Sequence, residues 1–217
     1  MEDVSVIIPA YNEEKYIERT LKSLKIQTHP NIEIIVVCNG CTDKTKEISS
    51  NYTIKIISLK EKNVSKSRNS GADSATGEFL VFLDADTILM PDVISNIIKQ
   101  LNKEHYYGTV SGKSELNKLQ CRLYSKMKNI INTFYPWSNG LIFCRKEDFV
   151  KTNGFDPEFH HGELKLFYNE ISKYAKYKKL NSTYIITSQR RIESWGIKKI
   201  LGFWLNANKN KEYNPIR

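Results

Sequence analysis

The 217-residue sequence predicts an α/β fold: an open, mostly parallel, twisted sheet with helices on both faces. Three observations carry that expectation. Four predominantly apolar runs of strand length, at residues 4–9, 32–37, 54–59 and 79–83, alternate with helical segments, the order of a doubly wound sheet. The last run, Phe79-Leu80-Val81-Phe82-Leu83, is continuously apolar, as suits a strand covered on both faces. It delivers two carboxylates, Asp84 and Asp86, to its C-terminal end, the edge where open sheets of this kind bind ligands.

Each element has its own local reason. Residues 4–9 form a buried strand closed by Pro9, which has no amide hydrogen for a ladder. Asn12-Glu13-Glu14 then opens a helix with Asn12 as its cap; Tyr16, Ile17, Leu21 and Leu24 share one face, and Lys15, Glu18, Lys22 and Lys25 the other. The second strand follows Pro30, and a right-handed crossover makes it a parallel neighbour of the first. Residues 39–43 form a turn, 43–50 a short helix, and 64–75 a helix leading into the strand that ends at Asp84. Pro91 suits a helix start, with Val93, Ile94, Ile97, Ile98 and Leu101 as the apolar stripe. Beyond residue 105 the pattern loosens to a strand near 106–112, a long helix near 115–132 and a strand at 141–144. The helix stripe Leu116, Leu119, Leu123, Met127 and Ile130 is expected to face the core.

A chain of this length buries one sizeable core, and no Pro, Gly or Ser-rich linker divides it. We therefore expect one domain over residues 1–187 and a basic, amphipathic tail over 188–217. No apolar stretch reaches the ~18–20 residues that span a bilayer, and no basic leader precedes the first strand. A cytoplasmic protein, peripheral to the membrane at most, is the expectation. The four cysteines include Cys38-Asn39-Gly40-Cys41, which reads either as a redox pair or as reduced thiols. A net charge of +9 favours anionic partners, among them nucleoside diphosphates and lipid phosphates. Nucleic acid is not expected, because no zinc-finger, RNP or helix-turn-helix signature accompanies the basic clusters.

Two carboxylates at one strand end repel each other unless a cation sits between them and an anion. Mg²⁺ or Mn²⁺ shared with a diphosphate satisfies that requirement; the alternative is that Asp84 caps the following turn and Asp86 is solvated. Pro9 to Glu13, Asn39 to Asp43 and Asp84-Ala85-Asp86 all fall at the same sheet edge.

In order, VSVIIPAYNEE, VVCNGCTDKT, SKSRNSGADSATGEFLVFLDADT and NGFDPEF cover most of residues 3–160 and resemble glycosyltransferase family 2, inverting enzymes with a GT-A nucleotide-diphosphosugar fold. The resemblance implies a GT-A-like domain with a nucleotide-binding half, 1–104, and an acceptor half, 105–187. It implies that Pro9, Ala10, Tyr11 and Glu13 line the nucleotide pocket beside Asn39, and that Asp43 contacts the base. Arg68 and Asn69 would approach base and diphosphate, and Gly71 would allow close helix packing. Asp84 would hold ribose or metal, Ala85 would lie between the two acids, and Asp86 would hold the metal bridging both phosphates. The chemistry is sound: an acid accepts from a ring N–H, a guanidinium offsets diphosphate charge, and a divalent cation stabilises the departing nucleoside diphosphate. Asp43 also reads as a helix cap, Glu13 and Glu14 suit a helix N-terminus, and Arg68 suits a surface pair.

One-step inversion in that family needs a carboxylate base, supplied by a Glu-Asp pair opening a helix. Here the matching stretch is His161-Gly162-Glu163-Leu164-Lys165, with Leu164 in the Asp position, so Glu163 is the candidate base. Glu158, His160 and His161 stand in reserve, and either histidine could instead complete a metal shell. Glu170 falls where Arg is common, and Ala175 where Gly is common.

The tail carries Ser188-Gln189-Arg190-Arg191, similar to a Ser-x-Arg-Arg element of small family members, whose Arg190 or Arg191 would close over the diphosphate; we place Arg191 there. Trp195, Ile197, Ile200, Leu201, Phe203, Trp204 and Leu205 beside Lys198 and Lys199 suit either an interfacial helix meeting a lipid-linked acceptor at an anionic membrane, or a helix docked on its own domain.

The expected function is metal-dependent, inverting sugar transfer from a nucleotide-diphosphate donor, UDP before GDP, to a glycan hydroxyl or lipid-phosphate acceptor. A nucleotidyltransferase would want a Gly-rich basic loop after the first strand, where this chain has Pro-Ala-Tyr-Asn-Glu-Glu. A nucleotide-sugar-binding module that has lost its base is the non-enzymatic alternative, with Leu164 in its favour.

Overall fold

A computed structural model of the chain describes residues 3–52, 55–159 and 163–188, together with 190, 192, 194 and 196. The first half runs β1 (Val4–Ala10), α1 (Ile17–Lys25), β2 (Ile32–Asn39), α2 (Thr45–Ser50), β3 (Lys55–Leu59), α3 (Val64–Ser74), β4 (Phe79–Leu83), β5 (Thr87–Leu89) and α4 (Val93–Leu101). The second half runs β6 (Tyr106–Ser114), α5 (Leu119–Phe134), β7 (Leu141–Arg145), α6 (Lys146–Phe149), α7 (Glu163–Ile171) and β8 (Lys176–Thr187).

The strands form one sheet in the order β3-β2-β1-β4-β7-β6-β8-β5. β1 pairs in parallel with β2 and β4, and β2 with β3, which is the parallel half read from the sequence. The other half is mixed: β7 runs antiparallel to β4 and β6, β8 is parallel to β6, and β5 is antiparallel to β8.

The apolar runs are continuous because both faces are covered. Phe79, Val81 and Leu83 of β4 enter one core with Val4, Val6 and Ile8 of β1 and the apolar faces of α1 and α4. Leu80 and Phe82 enter a second core with Ile7, Ile35, Phe149, Phe155 and Phe167. Gly71 lets α3 lie on β1, since a Cβ there would meet Ile7 Cγ2 at 2.3 Å.

Two expectations are corrected. Asn12 does not cap α1, which begins after Tyr16 without a side-chain cap. Instead Asn12 takes a left-handed turn (φ 53°), accepts from the Thr42 amide at 2.8 Å and donates to Thr42 Oγ1 at 3.1 Å, tying two loops of the ligand edge together. Most of the stripe expected for α5 turns outward: Leu119, Leu123 and Ile130 are 71%, 54% and 64% exposed, while Leu116 and Met127 pack partly buried against Cys121 and Tyr124. That helix packs through Cys121, Tyr124, Ser125 and Asn132, because its inward face is fixed by polar bonds that an apolar period does not reveal. Two strands have no counterpart in the sequence reading: β8, an inner strand that carries Lys176, Lys178 and Lys179, and the short β5 beside it. Among the described residues no helix is long and apolar enough to cross a membrane.

Candidate active site

The ends of β1, β2 and β4 meet at one edge, and the turn after β4 is its firmest part. The Asp84 amide donates to the Gly140 carbonyl at 2.8 Å, and the Asp84 carbonyl accepts from the Thr87 amide at 3.1 Å. The Ala85 carbonyl accepts from Thr20 Oγ1 at 2.8 Å, so the residue between the acids anchors the turn through its backbone. Gly140 adopts φ 111°, and a Cβ there would sit 2.6 Å from Thr87 Oγ1, so only glycine can back the Asp84 turn.

Two arginines face this turn. Arg68, nearly buried on α3, lies over the Phe155 ring and spans two acids, with Nη2 3.6 Å from Asp84 Oδ1 and Nη1 3.3 Å from Glu163 Oε1. Arg190 pairs bidentately with the buried Glu13 at 2.8 and 2.6 Å, lies over the Tyr16 ring, and reaches within 3.4 Å of Asp86 Oδ2. Burial works against its charge, but the Glu13 and Asp86 carboxylates outweigh burial and hold the guanidinium protonated. Ser188 Oγ donates to the same Asp86 oxygen at 2.6 Å.

At the end of the edge formed by the loop after β2, Asp43 Oδ1 accepts from the Thr45 amide and hydroxyl at 3.0 and 2.6 Å, and Oδ2 accepts from the Glu14 amide at 3.0 Å. Burial raises its pKa, but these donors outweigh burial and leave it below the ordinary value. The Glu13 amide donates to Thr45 Oγ1 at 2.7 Å, and Lys62 Nζ lies 4.7 Å from the centre of the Tyr11 ring. Cys41 Sγ donates to the Ala10 carbonyl, and all four cysteines are free thiols. A hydrogen bond shared between the two sulfurs of the Cys-x-x-Cys pair pushes Cys38 up and Cys41 down; burial adds to the first shift and opposes the second.

Some expected ligand contacts are spent on the protein itself. Asn39 Oδ1 accepts from the Asn63 amide, and Asn63 in turn caps α3. Asn69 holds the Phe155 backbone by both ends, donating to its carbonyl at 2.8 Å and accepting from its amide at 2.9 Å. These two asparagines therefore position Arg68 and the 155–159 segment.

Glu163 opens α7 with its carboxylate turned to Arg68, while Leu164 packs partly buried against the second core. Leu164 thus presents an apolar side chain to apolar neighbours, and Glu163 is the acid at the helix start. Glu158 is exposed, and Glu170 binds the Asn153 amide and side chain at 2.8 and 2.9 Å. Arg191, His160 and His161 lie outside the described residues. Sequence reasoning missed Thr45, Tyr16 and Gly140, and it named Arg190 only as an alternative; the Asp43-x-Thr45 spacing was the one available signal for Thr45.

Asp84 and Asp86 offer hard carboxylate oxygens on one rigid turn, the donor type that Mg²⁺ and Mn²⁺ prefer. Among the described residues no cluster of three or more His, Cys, Asp or Glu could hold a metal ion. The remaining ligands would have to be phosphate oxygens and water, so the residues fit a cation carried with a diphosphate rather than one held by protein alone.

Residues 5–161 match the family described as Glycosyl transferase family 2. An uncharacterized glycosyltransferase of Haemophilus influenzae is 35% identical over 193 residues, covering 80% of this chain and 57% of that protein. The GalNAc(5)-diNAcBac-PP-undecaprenol beta-1,3-glucosyltransferase of Campylobacter jejuni is 26% identical, covering 78% of this chain and 60% of that protein. The chain thus spans less than two thirds of the length of these curated relatives. Among solved structures, S. aureus TarS 1-349 superposes with a TM-score of 0.71 at 23% identity, over 96% of this chain and 67% of that one. The mannosyltransferase PcManGT of Pyrobaculum calidifontis, solved with GDP-Man and Mn²⁺, superposes with a TM-score of 0.70 at 19% identity, over 98% and 66%. At these identities the structural likeness establishes a shared fold, and the sequence match establishes descent: the chain belongs to glycosyl transferase family 2.

Proposed function

We propose that the chain transfers a sugar from a nucleoside-diphosphate donor, UDP-linked before GDP-linked, to a glycan hydroxyl or lipid-phosphate acceptor, with inversion and with Mg²⁺ or Mn²⁺. The observation that carries this reading is the convergence of Asp84, Asp86, Arg68, Arg190 and Glu163 on one edge. The TarS fold is also recorded with UDP-GlcNAc, the PcManGT fold with GDP-Man, and the Campylobacter relative is named for an undecaprenol-linked glycan.

Asp84 and Asp86 would hold the cation, which when bound supplies Lewis-acid stabilisation of the departing diphosphate. Asp43 keeps acceptor capacity beyond its present bonds and accepts from a ring N–H of the base. Arg68 and Arg190 place positive charge where the diphosphate leaves. Glu163, oriented by Arg68, takes the proton of the acceptor hydroxyl as its oxygen attacks the anomeric carbon from the face opposite the leaving group. A phosphate acceptor, already ionised, needs no such base. The new carbon–oxygen bond forms as the bond to the diphosphate breaks, and the electron pair leaves with the diphosphate.

Glu163→Gln keeps the bond to Arg68 and removes the base. Transfer to a hydroxyl acceptor should fall by about 10²–10⁴-fold while donor affinity holds. Leu164, an apolar side chain packed partly buried against the second core, favours the second reading, a binding module; there, wild type binds donor and releases no sugar to any acceptor, which would overturn the enzymatic reading.

A further inference from the structure

The outward face of α5 is unusual for a soluble surface. Leu119, Leu123, Ile130 and Phe134 recur at spacings of four, seven and four residues, so they line one side of the helix, and all are exposed. Tyr135 continues the exposed line beyond the helix end. Leu119 and Phe134 are the ends of a 16-residue helix, which at 1.5 Å rise per residue makes this an apolar ridge about 22 Å long, and soluble monomers rarely leave such a patch uncovered.

The helix is not free to roll and bury this ridge. Asn129 accepts from the Gly112 amide at 2.9 Å and from Asn139 Nδ2 at 3.1 Å, and donates to the Gly112 carbonyl at 2.8 Å. Tyr177 donates to the Asn132 carbonyl at 2.7 Å, and Lys179 binds the Asn129 carbonyl. The opposite side packs Cys121 and Tyr124 against Ile192.

Charge identifies the occupant. No Asp or Glu occurs between Glu115 and Glu147, a stretch that contains Lys118, Arg122, Lys126, Lys128, Arg145 and Lys146. Arg122 and Lys126 are exposed beside Leu123, and Glu115 is already paired with Arg19. An apolar ridge edged by cations, with no acid on the helix, complements a surface of anionic headgroups over hydrocarbon. A soluble partner's apolar groove would not require the acid-free flanks.

We propose that α5 docks this protein on an anionic phospholipid bilayer, with Leu119, Leu123, Ile130 and Phe134 entering the headgroup–acyl boundary and Arg122 and Lys126 meeting lipid phosphates. Asn139, bonded to Asn129, precedes Gly140, which backs the Asp84 turn; Ile192 lies two residues from Arg190. The helix that docks is therefore bonded to the segment that backs the Asp84 turn. The docking is read from a different face and stands apart from the transfer chemistry.

The test is flotation of the full chain with vesicles of phosphatidylcholine alone or mixed with phosphatidylglycerol. Wild type should bind the mixed vesicles, and removing the anionic lipid should weaken binding by roughly tenfold or more. Leu123→Gln/Ile130→Gln and, separately, Arg122→Gln/Lys126→Gln should each lose about tenfold or more, with the circular dichroism spectrum and nucleotide binding unchanged. A tail variant, Ile200→Gln/Phe203→Gln, separates the two candidate anchors. Failure of wild type to float, or binding kept by both α5 variants and lost by the tail variant, would overturn the proposal. So would a wild-type dimer that Leu123→Gln/Ile130→Gln converts to monomer, since a second copy would then cover the face.

Discussion

Replacing Arg190 by Met keeps the apolar stem over Tyr16 and removes the charge shared by Glu13 and Asp86. Glu13, its side chain 8% exposed, then loses its bidentate cation. Breaking a fully buried pair from one side costs about 3–5 kcal/mol, whereas exposed pairs are worth about 0–1. Arg190 keeps 21% of its side-chain surface in water, so we place the loss at about 2–3 kcal/mol. In a chain of this size each kcal/mol moves Tm by about 2–4 °C, so scanning calorimetry should show a fall of about 4–12 °C. Glu13→Gln/Arg190→Met should recover part of that loss, because a neutral amide needs no counter-charge; the expected coupling is about 1–3 kcal/mol. If Arg190 also meets the diphosphate, nucleotide affinity of the single variant drops by about tenfold or more, the worth of one charge-assisted bond. A Tm within about 1 °C of wild type, or a double variant no more stable than the sum of the singles, would refute the reasoning.

A pH dependence and a packing defect follow from other residues. Burial pushes the Glu33 carboxyl up, but Lys55 at 2.8 Å, the Ser5 hydroxyl and the Thr76 amide outweigh it and bring it from 4.5 to about 2. Because the folded pKa is depressed, its stabilisation is complete above about pH 4.5 and is lost as pH falls through about 2; it amounts to at most about 3 kcal/mol. Urea titrations of Glu33→Gln should therefore show a flatter loss of stability over that window, and a slope identical to wild type would contradict the assignment. Gly71→Ala drives a methyl into Ile7 and should cost about 1–3 kcal/mol. Ile7→Val cannot relieve it, since valine retains both Cγ carbons that the methyl meets, so rescue in thermal melts would count against the packing argument.

The parallel half of the sheet was legible because its strands are buried twice. Phe79 to Leu83 has no polar residue to hide, and the two cores divide its side chains by alternation. The position of the acids was legible for a related reason: carboxylates that follow such a strand fall at its C-terminal end, where the structure places Asp84 and Asp86 beside Arg68 and Arg190. The helix on residues 119–134 was legible only as a helix. Its period locates an apolar face, but the direction of that face depends on Asn129, Asn132 and Tyr177, whose polar contacts are made across ten or more residues of sequence. Asn12 was misjudged for the same reason, since its partner Thr42 lies on another loop. β8 was hidden because its lysines snorkel from a strand whose buried residues, Leu180, Thr183 and Ile185, are sparse. Arg190 was half visible: the Ser-x-Arg-Arg spacing pointed at the diphosphate, and only the fold shows Glu13 waiting for the guanidinium.

The central claim is that the edge formed by Asp84 and Asp86 binds a nucleoside diphosphate together with a divalent cation. Calorimetric titration of UDP, GDP and CDP, with and without Mn²⁺, into wild type and Asp86→Ala tests it most directly. The account predicts that one nucleotide binds, that Mn²⁺ tightens it by about tenfold or more, and that Asp86→Ala abolishes the Mn²⁺ effect. Binding of no nucleotide, or equal Mn²⁺-dependent binding by Asp86→Ala, would contradict it.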